Sequence, residues 1–172
     1  MEEQNWLGQF LRDRRALVAV VIILACFLPF IGSGNATTSL VGVQGQVNAV
    51  NQSLGTLGGA VLSSMGVSTG QIGGALNLLL VLYLIPLSAI LVVGLASMSR
   101  GTRVWGIVNG AVAIVLPFAV PAIAGAIFEA SLPQQLRPLL GSGASFTSYG
   151  IGVWVIVLLG IAQLALSLRP SR

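Results

Sequence analysis

Two amide side chains are the best candidates for chemistry in this chain. Asn109 and Gln163 each lie inside a long apolar run, where an unpaired amide is costly. If both runs are antiparallel membrane helices, the two amides lie at matching depth, about 8 Å from the helix ends that adjoin arginines. We expect a hydrogen bond between them. The alternative roles are a polar constriction in a pore or a contact with a lipid or cofactor.

The residue types that the chain lacks exclude most active-site chemistry. There is no His, and all eight basic residues are Arg, so imidazole metal ligation, a His general base and Schiff-base chemistry are excluded. Cys26 is the single cysteine. Glu129 has no evident acid or base partner, and nothing activates Ser131. We therefore expect no catalytic residue, metal site or cofactor, and no enzymatic activity.

Four apolar runs define the predicted architecture. Their ranges are 16–32, 76–99, 104–128 and 149–168, and none contains a charged residue. The chain as a whole is 55% hydrophobic and 7% charged, which is outside the range of soluble globular proteins. Each run therefore predicts a transmembrane helix, and the fold class is an all-α integral membrane protein with a single membrane domain. A cleaved signal peptide is the alternative for the first run.

Arginine residues at the ends of these runs predict the orientation. They are Arg12, Arg14 and Arg15 before the first run, Arg100 and Arg103 in the turn 100–103, and Arg169 and Arg172 at the C-terminus. Arginine-rich flanks stay cytoplasmic, so both termini and that turn are predicted to be cytoplasmic, in a plasma or inner membrane. The partners of these clusters are membrane lipids rather than nucleic acid, because no soluble domain presents a basic face.

The outer loops follow from the same topology. Residues 33–75 carry a stripe at intervals of three and four that predicts an amphipathic helix over about 43–62, packed on the bundle or on a partner. The members of this stripe are Val43, Val47, Val50, Leu54, Leu57 and Val61. A flexible loop is the alternative, because three glycines weaken the helix. The stretch 65–74 indicates a turn, residues 129–148 form a second outer loop, and residues 1–15 form an interfacial segment.

Small residues and prolines predict close and irregular helix packing. Gly106 and Gly110 are four positions apart in the third run, a spacing that lets helix backbones approach closely in lipid. Packing within the bundle is favoured over contact with a second copy. Pro117 and Pro121 predict a bend in the middle of the same run.

The predicted function is non-catalytic. No charge inside the apolar runs is available to relay protons or bind ions, and the small-residue faces suit contact with other helices. We therefore expect an accessory or assembly subunit of a larger membrane protein complex, with other membrane protein subunits as partners. One alternative is a small oligomeric channel or transporter with an uncharged polar path, lined by Asn77, Ser88, Ser97, Asn109 and Gln163. Another is a recognition protein that docks a partner on the 43–61 stripe.

Overall fold

The computed structural model describes residues 13–33, 36–98, 101–134 and 148–169. The helices are α1 (Arg14–Ala25), α2 (Val43–Gly55), α3 (Leu57–Ser64), α4 (Thr69–Leu78), α5 (Leu84–Ser97), α6 (Thr102–Ser131) and α7 (Ile151–Leu168), and a 3-10 segment, Leu79–Tyr83, joins α4 to α5. The strands are β1 (Pro29–Ser33), β2 (Ala36–Ser39) and β3 (Ser148–Tyr149), which pair antiparallel in the order β2-β1-β3.

Three helical stretches in the described part of the chain are long and apolar enough to cross a membrane. They are Thr69–Ser97, Thr102–Ser131 and Ile151–Leu168. The second, third and fourth predicted spans lie within these stretches, apart from residues at their ends. Helix α4 already begins inside the stretch 65–74, which was expected to be a turn. Its buried face, which includes Ile72, packs on α6, and such tertiary contacts override the weak helix propensity of glycine.

The first predicted span, 16–32, is helical only as far as Ala25. Residues 26–28 form a turn, and β1 begins at Pro29. Proline has no backbone N–H and disfavours a helical conformation in the residue before it, which favours an end of the helix ahead of this position. Phe30 and Ile31 are apolar because both are buried in the core at the start of the sheet. With 12 residues, α1 is about 18 Å long, short of a hydrocarbon core of about 30 Å.

The single helix predicted over 43–62 is instead two helices. Helix α2 ends at Gly55, Thr56 leaves the helical region with φ −101° and ψ −146°, and Leu57 begins α3. A Cβ atom at Gly59 would overlap the carbonyl oxygen of Leu54. Glycine is therefore required for α3 to begin this close to the end of α2.

Helices α1, α5, α6 and α7 surround a common core. Helices α1 and α6 each pack on both α5 and α7, and the contact between α6 and α7 is the most extensive. The buried side chains along these contacts include Ile22, Val92, Ala113 and Ile156. The opposite faces expose large apolar side chains on all four helices, as expected for helices in contact with lipid. These exposed residues include Val21, Leu87, Val115 and Leu158.

Helix α6 extends well beyond the end of its neighbour α7. The ring of Phe118 contacts Tyr149 and Trp154, with centroids 5.3 Å and 6.1 Å away, so this residue lies level with the start of α7. The remainder of α6, as far as Ser131, is about 20 Å long. Because α4 precedes α5 in one helical stretch, its contact with α6 falls on this extension. Pro117 and Pro121 lie in the middle of α6 as predicted, and Pro117 is level with the start of α7.

Candidate functional site: the arginine end of the bundle

Two arginines cap the C-terminal end of α7. Arg15 donates from Nε and Nη2 to the carbonyl oxygen of Leu166, both at 3.3 Å, and from Nη1 to Thr102 Oγ1 at 3.4 Å. Arg103 donates from Nε to the carbonyl oxygen of Ser167 at 3.1 Å. The last four carbonyls of a helix have no partner within it, so these guanidinium groups satisfy two of them. The starts of α1 and α6 thereby meet the end of α7, and we call this the arginine end.

Every arginine in the described part of the chain lies at the arginine end. Arg14 and Arg169 are exposed there, at the start of α1 and just after α7. Asp13 caps α1 by accepting a hydrogen bond from the backbone N–H of Arg15 at 3.0 Å. The remaining predicted orientation residues, Arg12, Arg100 and Arg172, lie outside the described residues, as do most of the predicted interfacial segment 1–15 and residues 135–147 of the second outer loop.

Glycines bring α6 and α7 together at this end. A Cβ atom at Gly106 would overlap Ser167 Oγ, and one at Gly110 would lie 2.9 Å from the carbonyl oxygen of Gly160 and 2.7 Å from Leu164 Cγ. A Cβ atom at Gly160 would in turn lie 3.0 Å from the carbonyl oxygen of Gly110. Gly106 and Gly110 therefore face a helix of the same chain, at the close separation that small residues allow.

Polar side chains are buried where these two helices meet. Asn109, Gln163 and Ser167 are each 0% exposed, and Asn109 Oδ1 accepts a hydrogen bond from Ser88 Oγ at 2.9 Å. The predicted bond between Asn109 and Gln163 is not formed. Within the described residues, Asn109 Nδ2, both polar atoms of the Gln163 side chain and Ser167 Oγ have no hydrogen-bond partner. Each unpaired buried group costs about 1–3 kcal/mol.

The other polar positions proposed for a channel lie elsewhere. Asn77 is exposed and accepts a hydrogen bond at Oδ1 from Asn51 Nδ2 at 3.1 Å, whereas Ser97 is exposed near the end of α5. The five positions therefore do not share one accessible face within a single copy.

Among the described residues, no group of His, Cys, Asp and Glu could hold a metal ion. Ser131 Oγ donates to the carbonyl oxygen of Phe128 at 2.6 Å.

The apolar stripe of the outer loop is divided between two roles. Val43 and Val47 are buried against the rest of the chain, and Leu54 packs at the edge of the same core. Val50 and Val61 are 42% and 54% exposed. The buried half of the stripe therefore anchors α2 internally, and only its exposed positions are free to meet a partner.

Several contacts were not predicted at the end of the bundle opposite the arginine end, which we call the outer end after the predicted outer loops. Ile31 pairs with both Thr38 and Tyr149, and Tyr83 Oη donates to the carbonyl oxygen of Val41 at 2.9 Å. The sequence does contain one indication of the β-hairpin. Residues 34–35 are Gly-Asn, a pair typical of hairpin turns, and they lie between two short β-prone stretches. The arginine caps on α7 have no local sequence signal, because their partners are backbone carbonyls.

Comparison with known proteins adds no relative. No protein family, curated protein or solved structure matches this chain. The fold itself defines a class. The protein is mostly helical, with helices long and apolar enough for a multi-pass membrane protein.

Proposed function

We propose that this protein is a non-catalytic accessory or assembly subunit of a larger membrane protein complex. In this proposal the chain crosses the membrane four times and the arginine end is cytoplasmic, so both termini are cytoplasmic. The charge distribution supports this orientation, because arginine flanks are retained on the cytoplasmic side. It applies equally to a plasma membrane and to an inner membrane.

The path of α1 supports a fourth crossing despite its short length. Arg15 contacts Leu166 at one end of α7, and the carbonyl of Pro29 lies against Gly152 near the other end. Fourteen positions separate Arg15 from Pro29, and fourteen separate Gly152 from Leu166, which corresponds to about 21 Å of rise along α7. Helix α1 and its following turn therefore accompany α7 over most of its length. Leu17 and Val21 on the outer side of α1 are exposed, as lipid contact requires.

The subunit role rests on one observation, the exposed apolar surface of the outer extension. If the start of α7 marks the membrane boundary, the extension of α6 lies beyond the hydrocarbon. Ile123 and Ile127 on this extension are 52% and 39% exposed, and Val61 on α3 and Met65 just after it are 54% and 56% exposed. Apolar side chains left exposed to water in this way are typical of a surface that binds another protein.

The channel alternative receives less support. A path through one copy would need its polar side chains on a common accessible face. Asn109 and Gln163 are instead fully buried, and Asn77 and Ser97 are exposed at separate places. A path between copies of the chain stays possible only with a different set of lining residues.

Labelling of single cysteines tests the four-crossing topology. In a Cys26→Ser background, Thr37→Cys places a thiol on β2, and Arg14→Cys places one at the arginine end; both native residues are exposed. With a membrane-impermeant maleimide on intact cells, we expect labelling of Thr37→Cys at once and of Arg14→Cys only after permeabilisation. Labelling of both from the same side would show that α1 does not cross and would refute the topology.

Gentle extraction tests the subunit role. We expect a native mass larger than one copy, with other chains in fixed stoichiometry. Paired substitution of Ile123→Ser and Ile127→Ser should release those chains, whereas Leu158→Ser, on the lipid-facing side of α7, should retain them. A homo-oligomer without foreign chains would contradict the proposal.

A further inference from the structure

Unpartnered polar atoms lie on both helices where α6 and α7 meet at the arginine end. A Cβ atom at Gly106 would overlap Ser167 Oγ and would lie 3.4 Å from Gln163 Nε2, so both side chains of α7 approach α6 at this glycine. Asn109 lies three positions further along α6 and is also fully buried. Its carbonyl oxygen lies 2.9 Å from Ser88 Oγ, which shares its one proton with the carbonyl oxygen of Ile85 at 3.0 Å, and its amide group has no partner among the described residues.

The set of unpartnered atoms combines donors and acceptors without a charge. Asn109 Nδ2 and Gln163 Nε2 donate, Gln163 Oε1 accepts, and Ser167 Oγ can do both. A cation would meet the two amide NH₂ groups, and an anion would meet the amide oxygen, so neither suits the whole set. A water molecule accepts from amides and donates to a carbonyl, and buried waters typically make about three such bonds.

We propose that this cluster is a water-binding site that joins α6 to α7. Bound water bridges Asn109 on α6 to Gln163 and Ser167 on α7, in place of the direct bond between the two amides. The site admits only a small ligand, because Ser167 and the backbone at Gly106 are already in close approach. This inference is independent of the proposed subunit role, since it concerns contacts within one chain.

Water-edited solid-state NMR on the uniformly ¹⁵N-labelled full chain in lipid bilayers tests this site. The experiment measures transfer of magnetisation from water to individual amides. Side-chain NH₂ of the exposed Asn77 is the positive reference, and the backbone amide of lipid-facing Leu158 is the negative one. We expect rapid transfer to the side-chain amides of Asn109 and Gln163. Transfer to both that is as slow as at Leu158 would overturn the proposal.

A variant adds a second, independent readout. Gln163→Leu keeps the bulk of the side chain but removes two of the polar atoms, so transfer from water to the Asn109 amide should be lost while transfer to Asn77 is unchanged. The control is Ser97→Ala, which alters an exposed hydroxyl on α5 and should leave the Asn109 signal as in the wild type. Undiminished transfer to Asn109 in Gln163→Leu would contradict a shared site. If that variant does not fold, the wild-type measurement alone decides.

Discussion

The two ends of the bundle are held together by different physics. At the arginine end, α6 and α7 meet through Gly106, Gly110 and Gly160, and arginine side chains bond to helix carbonyls. At the outer end, a three-stranded sheet and short helices close over bulky buried side chains such as Phe30 and Leu40. In the proposed topology the helices of the arginine end lie in lipid, which supplies no hydrophobic driving force between them, so close backbone contact and polar bonds hold that end. The outer end can use the hydrophobic effect wherever it meets water.

Both ends nevertheless depend on glycine at backbone crossings. A Cβ atom at Gly110 would press on Gly160, one at Gly59 would overlap the carbonyl of Leu54, and one at Gly150 would overlap the carbonyl of Pro29. The two ends differ in which segments would move apart if a glycine contact were lost. At the arginine end it separates two long helices, whereas at the outer end it displaces a short segment.

The largest expected effect is that of Gly110→Leu. The new side chain would have to occupy space already taken by Leu164 and the backbone of Gly160, so α6 and α7 must separate. We expect a loss of about 3 kcal/mol or more in the free energy of unfolding, measured with SDS in mixed micelles. The matched control is Gly94→Leu on α5, where nothing lies within 4 Å of a Cβ atom. Equal effects of the two variants would show that the close contact is not decisive.

A pair of alanine substitutions tests the break between α2 and α3. Gly59→Ala should destabilise the outer end by about 1–3 kcal/mol, because its Cβ would overlap the carbonyl oxygen of Leu54. Gly55→Ala has open space around it and a helical position, so it should stabilise by about 0.5–1 kcal/mol. Thermal unfolding followed by circular dichroism measures both. The two variants should change the stability in opposite directions. A change in the same direction would refute the close contact between α3 and the end of α2.

Removal of the arginine caps should have an intermediate effect. Arg15→Ala and Arg103→Ala together leave two carbonyls at the end of α7 without these donors, and we expect a loss of about 1–2 kcal/mol. Arg14→Ala and Arg169→Ala together remove the same two charges from exposed positions and serve as the control, with an expected effect below about 0.5 kcal/mol. The measurement is SDS unfolding, as for Gly110→Leu. An equal loss in the control would mean that net charge, rather than capping, is responsible.

The smallest expected effect is that of Tyr83→Phe. The variant removes a single hydrogen bond, from the tyrosine hydroxyl to the carbonyl oxygen of Val41 at 2.9 Å. We expect a loss of about 0.5–1.5 kcal/mol in the free energy of unfolding, and faster hydrogen exchange confined to the segment around Val41. Faster exchange spread over α6 and α7 would contradict the view that the two ends of the bundle are held separately.

Sequence reasoning was most successful where the signal is local composition. The apolar runs at 76–99, 104–128 and 149–168 correspond to long helices, because hydrophobicity over about 20 residues is a property of the run alone. It was least successful at Pro29, where an apolar run changes from helix to strand. Apolar character does not distinguish a buried strand from a helix, and only the proline indicated the change.

The pairing of side chains could not have been predicted from composition. Matching depth suggested a bond between Asn109 and Gln163, but Ser88 on α5 takes the Asn109 carbonyl oxygen, and Gly106 meets Ser167 instead. Each of these contacts joins residues on different helices. Depth along a helix can be counted from the sequence, whereas the rotation of one helix against another depends on all of its neighbours.

The amino-acid order alone therefore establishes the apolar character of the helices, their approximate lengths and the concentration of arginine at one end. These properties come from residues close together in the chain. Four features are decided only by the tertiary structure. They are the end of α1, the break at Thr56, the arginine caps on α7 and the contacts of the buried amides. The physical reason is that such features depend on which backbone segments approach each other, and glycine contacts between distant residues, as at Gly110 and Gly160, set that approach.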